Sequence, residues 1–167
     1  MRLRAILLLA ALGLAGCVPV SSHRDSEKVI SSKAVLDLPR MSGDWSVVGY
    51  YPTPFEIGCE EIDLALDLAS LERTCRAQDA ITRQDKAPLR AVDVGRFQTQ
   101  LDGVGPTPLC VLWVDEGYRT AVIGEPQGRF AWIINRGRAI PRDRWVKAQR
   151  ILDFNGYDPV ALVRLGQ

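Results

Sequence analysis

Hydrophobic and polar residues alternate in short runs over most of the chain. Between residues 62 and 68 every second residue is aliphatic, and aspartates occupy two of the positions between them. Successive side chains of a β-strand point to opposite faces, so this run predicts a half-buried strand. Similar runs follow at intervals of about ten residues, which is typical of an antiparallel barrel or sandwich. They cover residues 71–76, 89–94, 96–101, 109–114, 119–123 and 130–135.

A helical period appears only near the end of the chain. Within residues 141–155, apolar residues from Trp145 to Leu152 recur at the spacing of one helix face. Pro141 suits the first helical turn, and Gly156 suits a C-terminal cap. A last strand over 160–165 can close or extend the sheet. Patterning therefore predicts an all-β meander of antiparallel strands followed by one helix that packs on its outer wall.

The first 17 residues have the pattern of a secretory signal with a lipobox. Two arginines precede an apolar stretch of about ten residues, shorter than the roughly 20 residues of a membrane-spanning helix. The stretch ends in Leu14, Ala15, Gly16 and Cys17. A cysteine after small residues is the acceptor for a diacylglyceryl group, so we predict a signal peptide over 1–17 with Cys17 lipidated. Several acyl chains, palmitate among them, would then anchor the protein stably in a membrane.

The rest of the chain divides into two parts. Residues 18–40 are rich in serine and charged residues without a sustained period, which predicts a flexible tether. Residues 41–167 are enough for one domain with one core and too few for two. Bacterial lipoproteins that are retained in the inner membrane resemble one another in having aspartate directly after the lipidated cysteine. In this chain that position is Val18. We therefore expect an outer-membrane location, facing the periplasm.

Composition narrows the function classes. The chain has 21 Lys and Arg against 20 Asp and Glu, and the two signs are interspersed, so no basic face for nucleic acid is predicted. The only histidine, His23, lies in the predicted tether. A Ser–His–Asp or Cys–His catalytic arrangement is therefore absent from the predicted domain, and we expect no enzyme activity. No C-x-x-C motif or neighbouring histidine predicts a metal site.

Three cysteines remain after Cys17: Cys59, Cys75 and Cys110. In an oxidising compartment we expect one disulfide and one remaining thiol, and three pairings are possible. The pairing of Cys59 with Cys75 closes the shortest loop. The simplest alternative is that all three are small buried apolar residues.

Three short motifs occur in an order that resembles the lipocalin family. Gly43 and Trp45 match the G-x-W motif of the first lipocalin strand, Asp115 and Tyr118 match the T-D-x-x-Y segment, and Arg136 matches the arginine after the last barrel strand. Residues 52–59 and 118–136 look in particular like bacterial outer-membrane lipoprotein lipocalins. The resemblance implies an up-and-down barrel of about eight strands, with the Trp45 indole closing one end beneath Arg136.

A lipocalin barrel implies a cup that binds an apolar or amphiphilic ligand, such as a fatty acid or lysophospholipid. Strand parity does not say which face is inward, and each lining candidate has ordinary barrel core as its alternative. The candidates are Leu64, Leu66, Leu109 or Leu112, Trp113, Val122 and Trp132. The compressed segment 79–97 leaves the strand count and the depth of the cup open.

Two other hypotheses about function stand beside that of a lipid carrier. One is a structural or interaction lipoprotein of the cell envelope, with a barrel filled by its own side chains and an exposed apolar patch. The other is a carrier of haem or a related chromophore, for which only Tyr50, Tyr51 or Tyr118 offers an axial ligand. We expect no cofactor.

Overall fold

The computed structural model describes residues 22–166. Within this range the chain forms two α-helices and nine strands. In chain order they are α1 (Leu38–Met41), β1 (Gly43–Tyr50), β2 (Glu61–Leu66), β3 (Ser70–Ala77), β4 (Ala80–Asp93), β5 (Arg96–Leu101), β6 (Gly105–Val114), β7 (Thr120–Gly124), β8 (Ala131–Asn135), α2 (Arg142–Phe154) and β9 (Val163–Arg164). None of these helices is long and apolar enough to cross a bilayer.

Strands β1 to β8 form a closed antiparallel barrel. Each strand pairs with the next, β8 returns to β1, and β1 also pairs with β2. The pairing of β1 with β2 runs from Gly43 to Ser46, and β9 joins β1 farther along, at Gly49 and Tyr50. The predicted up-and-down barrel of eight strands is confirmed, and the last strand extends the sheet without closing it.

Strand β4 departs most from the sequence expectation. Its first half, residues 80–88, pairs with β3, and its second half, residues 89–93, pairs with β5, so the segment expected to be compressed forms one continuous 14-residue strand of the wall. Only Ala87 of this strand is buried. Because most of its side chains are exposed, β4 lacks the alternation that reveals a strand, and its backbone ladders hold it in place.

The barrel wall separates two hydrophobic clusters. The inner cluster fills the barrel and includes Trp45 and Trp132, whereas the outer cluster lies beneath α2 and includes Trp145 and Leu152. Helix α2 lies close to β1 at Gly49, where an added Cβ would stand 2.9 Å from the Trp145 ring. The predicted C-terminal helix on the outside of the barrel is confirmed.

The connections alternate between the two ends of the barrel. The lower end is the one where β1 begins, and it carries α1 and the connections at 67–69, 94–95 and 115–119. The upper end is the one where β1 finishes, and it carries the connections at 51–60, 78–79, 102–104 and 125–130.

Residues 22–37, here called the N-terminal strap, run along the barrel from the upper to the lower end. The Arg24 side chain is buried and donates from Nε to the Asn155 carbonyl at 2.7 Å. Farther along, the Ser31 amide donates to the Asn155 side chain and the Lys33 amide to the Val111 carbonyl, both at 2.7 Å. These contacts differ from the flexible tether expected over 18–40, because hydrogen bonds from main-chain amides and from the Arg24 side chain hold residues 22–37 without any sequence period. Residues 18–21 and the predicted signal over 1–17 lie outside the described residues.

Candidate ligand-binding site

An apolar cavity lies in the lower half of the barrel. The centre of a water molecule can move through about 40 Å³ of it, which is room for about three waters. Ser42 and Asp67 are the two polar residues among its lining. The barrel contributes Leu66, Leu68, Leu71, Leu89, Phe97, Leu109, Val111, Ile123 and Trp132, and the strap and α1 contribute Leu36, Leu38 and Met41. With so few polar partners for water, the cavity favours an apolar occupant.

Trp45 and Arg136 close the lower end beneath this cavity. The Arg136 guanidinium carbon lies 3.8 Å from the centroid of the Trp45 ring, as the motif implies. Arg136 also donates to the carbonyls of Asp44 at 2.8 Å, Arg40 at 2.9 Å and Ser42 at 2.8 Å. Burial lowers the pKa of Arg136. This one side chain therefore fastens the backbone around α1 to the end of the barrel.

Gly43, the first residue of the motif, allows that contact. Its φ is +102°, a left-handed conformation that glycine adopts without strain. A Cβ at this position would lie 3.1 Å from Nη1 of Arg136. The glycine is therefore required by both its backbone conformation and the approach of the guanidinium.

Asp115 organises the turn between β6 and β7. Burial alone would raise its pKa, but its carboxylate accepts bonds from the Thr120 amide at 2.7 Å and from the Arg119 amide at 2.6 Å. It also pairs with the Arg119 guanidinium at 2.8 Å. Together these bonds hold the pKa of Asp115 below its usual value.

Tyr118 in the same turn connects the barrel to the strap. Its hydroxyl accepts a bond from the Asp37 amide at 2.8 Å, and its ring lies under the Arg40 guanidinium at 4.2 Å. The matched motif residues thus gather at the lower end, where their contacts are structural.

The connection at 51–60 closes the upper end with a buried ionic cluster. Arg73 and Glu56 are both fully buried, with Nη1 and Oε1 3.6 Å apart. Arg73 also pairs with Asp85 at 2.6 Å and lies 4.0 Å over the centroid of the Phe55 ring. Trp132, which lines the cavity, donates from Nε1 to Glu56 at 3.3 Å. The cluster therefore borders the upper side of the cavity.

Two groups facing this region have no hydrogen-bond partner among the described residues: Nη1 of Arg73 and Oγ1 of Thr99. This buried arginine was not among the predicted site residues, although the sequence contains a signal for it. Arg73 lies on the same side of β3 as Leu71 and Cys75, which are buried in the inner cluster. Parity alone therefore puts a guanidinium inside the barrel.

A disulfide joins Cys59, in the connection at 51–60, to Cys75 on β3, with the Cα atoms 5.4 Å apart. Arg83 on β4 donates to the carbonyls of Phe55, at 2.9 Å, and Ile57. Cys110 is a free thiol buried beneath α2, and burial raises its pKa. Covalent and ionic contacts thus hold the upper connection down.

The candidate lining residues fall on both faces of the wall. Leu66, Leu109 and Trp132 line the cavity, and Leu64 is buried in the inner cluster away from it. The other three lie outside: Leu112 and Val122 are buried beneath α2, and Trp113 packs against the same outer cluster. Of the two alternatives on β6, Leu109 is the inward one.

The misplaced candidates have a physical reason. A bulge between Val111 and Trp113 shifts the parity of β6, so that Val114 faces inward again. On β7 both faces are buried, one by the core and one by the helix, and hydrophobicity does not tell them apart. Over residues 22–166, no group of three or more His, Cys, Asp and Glu side chains is arranged to hold a metal ion.

A closed barrel of eight antiparallel strands with an apolar interior cavity defines a class of small-molecule-binding proteins. The sequence pattern of the lipocalin-like domain matches residues 36–167. The chain belongs to this family. Membership points to a small hydrophobic ligand, and lipocalins are typically carriers that catalyse no reaction.

Relatives agree with this assignment. A protein of Acanthamoeba polyphaga mimivirus that is named as a lipocalin is 24% identical over 152 residues, which cover 83% of this chain and 89% of that protein. Apocrustacyanin C2 superposes with a TM-score of 0.59 at 15% identity, covering 77% of this chain and 78% of the other. Lobster apocrustacyanin A1 gives 0.57 at 14% identity, covering 83% and 91%. These structural similarities concern the fold.

Proposed function

We propose that this lipocalin is a bacterial outer-membrane lipoprotein that binds a fatty acid or lysophospholipid inside its barrel. The observation that carries the proposal is the apolar cavity between Trp132 on one side and Leu36 of the strap and Leu38 of α1 on the other. Burying acyl surface in such a space stabilises a complex by about 25 cal/mol per Å². The lipobox at Cys17, outside the described residues, supports the anchoring.

A whole acyl chain needs more room than about 40 Å³. Leu36 and Leu38 offer a way to supply it, because they are only half-buried and lie on the strap and on the four-residue helix α1. Outward movement of these two side chains would lengthen the cavity at its lower end. Binding would then favour the displaced conformation in proportion to the acyl surface that it buries.

The polar groups above the cavity support an amphiphile over a plain hydrocarbon. Nη1 of Arg73 faces Glu56 at 3.6 Å but has no hydrogen-bond partner within residues 22–166, and a buried donor of this kind costs about 1 to 3 kcal/mol when unsatisfied. An acidic head group that reached Arg73 and Thr99 would supply the missing partners. The charges of Glu56 and Asp85 beside Arg73 oppose an anion there, so the head group must compete with them.

The test is a titration of the full chain with palmitate and with lysophosphatidylcholine, monitored by the total tryptophan emission, to which Trp132 at the cavity contributes. We expect a saturable change. Leu109→Phe, which fills the cavity, should weaken binding by about tenfold or more. The matched control is Leu112→Phe on the opposite face of β6, which should leave the affinity unchanged. A folded barrel without a saturable change, or equal affinity in both variants, would contradict lipid binding.

The small cavity favours a second candidate, an envelope lipoprotein that acts through protein contacts with a self-filled barrel. Native mass spectrometry of protein taken from its own envelope separates the two candidates. A retained ligand mass supports the carrier. A bare chain, together with one protein recovered repeatedly by cross-linking in cells, supports the interaction protein.

A further inference from the structure

We propose that the upper end of the barrel, with the connections at 51–60 and 125–130, faces the bilayer that holds the anchor. The inference rests on the lipidation of Cys17 in the proposed function. It adds the orientation of the barrel relative to that bilayer.

The length of chain between the anchor and the fold carries the argument. Cys17 and Ser22 are five residues apart, and five residues reach at most about 18 Å when fully extended. The Ser22 hydroxyl donates to the Gln127 carbonyl at 2.8 Å, and the His23 amide donates to the Gly128 carbonyl at 2.7 Å. The acyl chains are therefore held close to the β7–β8 connection, at the upper end.

The strap fixes this attachment point. Arg24 is buried, and its guanidinium donates to the carbonyls of Asn155 and Pro126, both at 2.7 Å, and to that of Lys28. The Asp158 amide also donates to the His23 carbonyl at 2.9 Å. Because these contacts are several and the Arg24 side chain that makes three of them is buried, the reach of the anchor does not grow by detachment of the strap.

The height of the barrel excludes the opposite orientation. Strand β1 has eight residues, about 26 Å along the strand and about 20 Å along the axis of a tilted barrel. Turns and α1 add to this height below Gly43. A connection of at most about 18 Å that leaves from the upper end is too short to let the lower end lie on the same bilayer.

The surface around the attachment point suits an apolar interface. Phe154 is 74% exposed and precedes Asn155, which binds Arg24. Val160 is 92% exposed, two residues after Asp158, and Ile57 is 65% exposed on the connection that closes the barrel. Exposed apolar side chains beside a lipid anchor add a second membrane-binding contribution. The connection at 51–60, which closes the upper end of the barrel, would then contact lipid directly.

The experiment uses the lipidated full chain in phosphatidylcholine vesicles whose acyl chains carry bromine. Phe154→Trp adds a fluorescent probe at the upper end, and Val94→Trp adds one at the lower end, where Val94 is 50% exposed. Wild-type emission is subtracted from each. We expect brominated lipid to quench most of the added emission of F154W and none of that of V94W. Quenching of V94W, or of neither probe, would overturn the orientation.

Hydrogen exchange on the wild-type chain keeps the test independent of the substitutions. On transfer from detergent to vesicles, peptides covering 51–60 and 154–162 should exchange about tenfold more slowly, while those covering 67–69 and 94–95 should not change. Slowing at the lower end, or at neither end, counts against the proposal. The mass of the N-terminal peptide identifies the cause. An unlipidated Cys17 removes the anchoring and the orientation together, whereas a lipidated Cys17 with the wrong protection removes the orientation alone.

Discussion

The two ends of the barrel are closed by different means. At the lower end, Arg136 binds three backbone carbonyls around α1 and covers Trp45, and Asp115 fixes an adjacent turn through main-chain amides. At the upper end, a ten-residue connection, residues 51–60, closes the barrel. A disulfide and the buried pair of Glu56 with Arg73 hold it.

The two ends of the barrel should therefore respond differently to the loss of a contact. The lower contacts are many and bind backbone, so losing one disturbs the start of β1 and with it the whole barrel. The upper contacts are made mostly by side chains, namely the disulfide, the pair of Glu56 with Arg73, and the bonds from Arg83 to two carbonyls of the connection, so each can be removed while the strands stay paired. Losing a lower contact should therefore destabilise the whole fold, whereas losing an upper contact should loosen the connection at 51–60.

The largest expected effect is at the lower end. Trp45→Ala should reduce the free energy of unfolding by about 3 to 5 kcal/mol, because it leaves a cavity and removes the cation–π contact with Arg136. Urea unfolding measures the loss, and Trp113→Ala on the outer face is the control, expected to cost far less. Equal losses in the two variants would mean that Trp45 at the lower end contributes no more to the free energy of unfolding than Trp113 on the outer face.

At the upper end, Glu56→Gln should cost about 3 to 4 kcal/mol, since it removes one charge of a buried ion pair. Hydrogen exchange should quicken over residues 51–60 and stay slow in β7 and β8. Combining Glu56→Gln with Arg73→Met should cost less than the sum of the single changes. Additive losses would show that the two side chains act separately.

Removing the disulfide sharpens the comparison further. Replacing both Cys59 and Cys75 by alanine should cost about 2 to 3 kcal/mol, because the bridge closes a short loop of 16 residues. Wild-type protein treated with dithiothreitol should unfold like the variant, while the variant itself should not respond. If affinity for lysophosphatidylcholine were unchanged in the variant, the bridge would have no part in controlling access.

The smallest effect concerns pH and the lower end. The folded pKa of Asp115 is lowered, so its contribution is fully present above the unfolded value of about 3.9 and is lost as the pH falls through the folded value. Asp115→Asn should cost about 1.5 kcal/mol at neutral pH, and the difference from wild type should shrink below about pH 4. Glu116→Gln, at the exposed neighbour, should change neither. A constant difference down to pH 2 would exclude the carboxylate as its source.

The sequence predicted those parts of the fold in which burial leaves a period. Strands with one apolar face, such as β2, and the amphipathic helix α2 were recognisable, and the family resemblance implied the stacking of Arg136 on Trp45. Of β4, the run at 89–94 was predicted, but residues 80–88 were not, since their pairing with β3 holds a segment whose side chains are mostly exposed. The fixed course of the strap was not predicted, because it depends on hydrogen bonds to partners far away in the sequence, donated by main-chain amides such as that of Lys33 and by the Arg24 guanidinium.

Prediction of the site stopped at strand parity. Leu66, Leu109 and Trp132 were placed at the cavity, but Trp113 and Val122 lie on the outside, because a bulge and a second buried face both defeat a period of two. The ionic cluster of Arg73, Glu56 and Asp85 was not predicted, for a different reason. The parity of Arg73 indicated the interior, yet a charged side chain is rarely buried without a partner, and Glu56 comes from an irregular connection that no pattern describes.

The contact between Arg24 and Asn155 spans 131 residues of sequence. A ribosome makes the arginine near the beginning and the asparagine near the end, so the earliest part of the folded chain is among the last to find its place. The strap can therefore reach its final position only after α2 and Asn155 are in place. A chain truncated before α2 would lack Asn155, so its N-terminal strap would be poorly held and accessible to proteases.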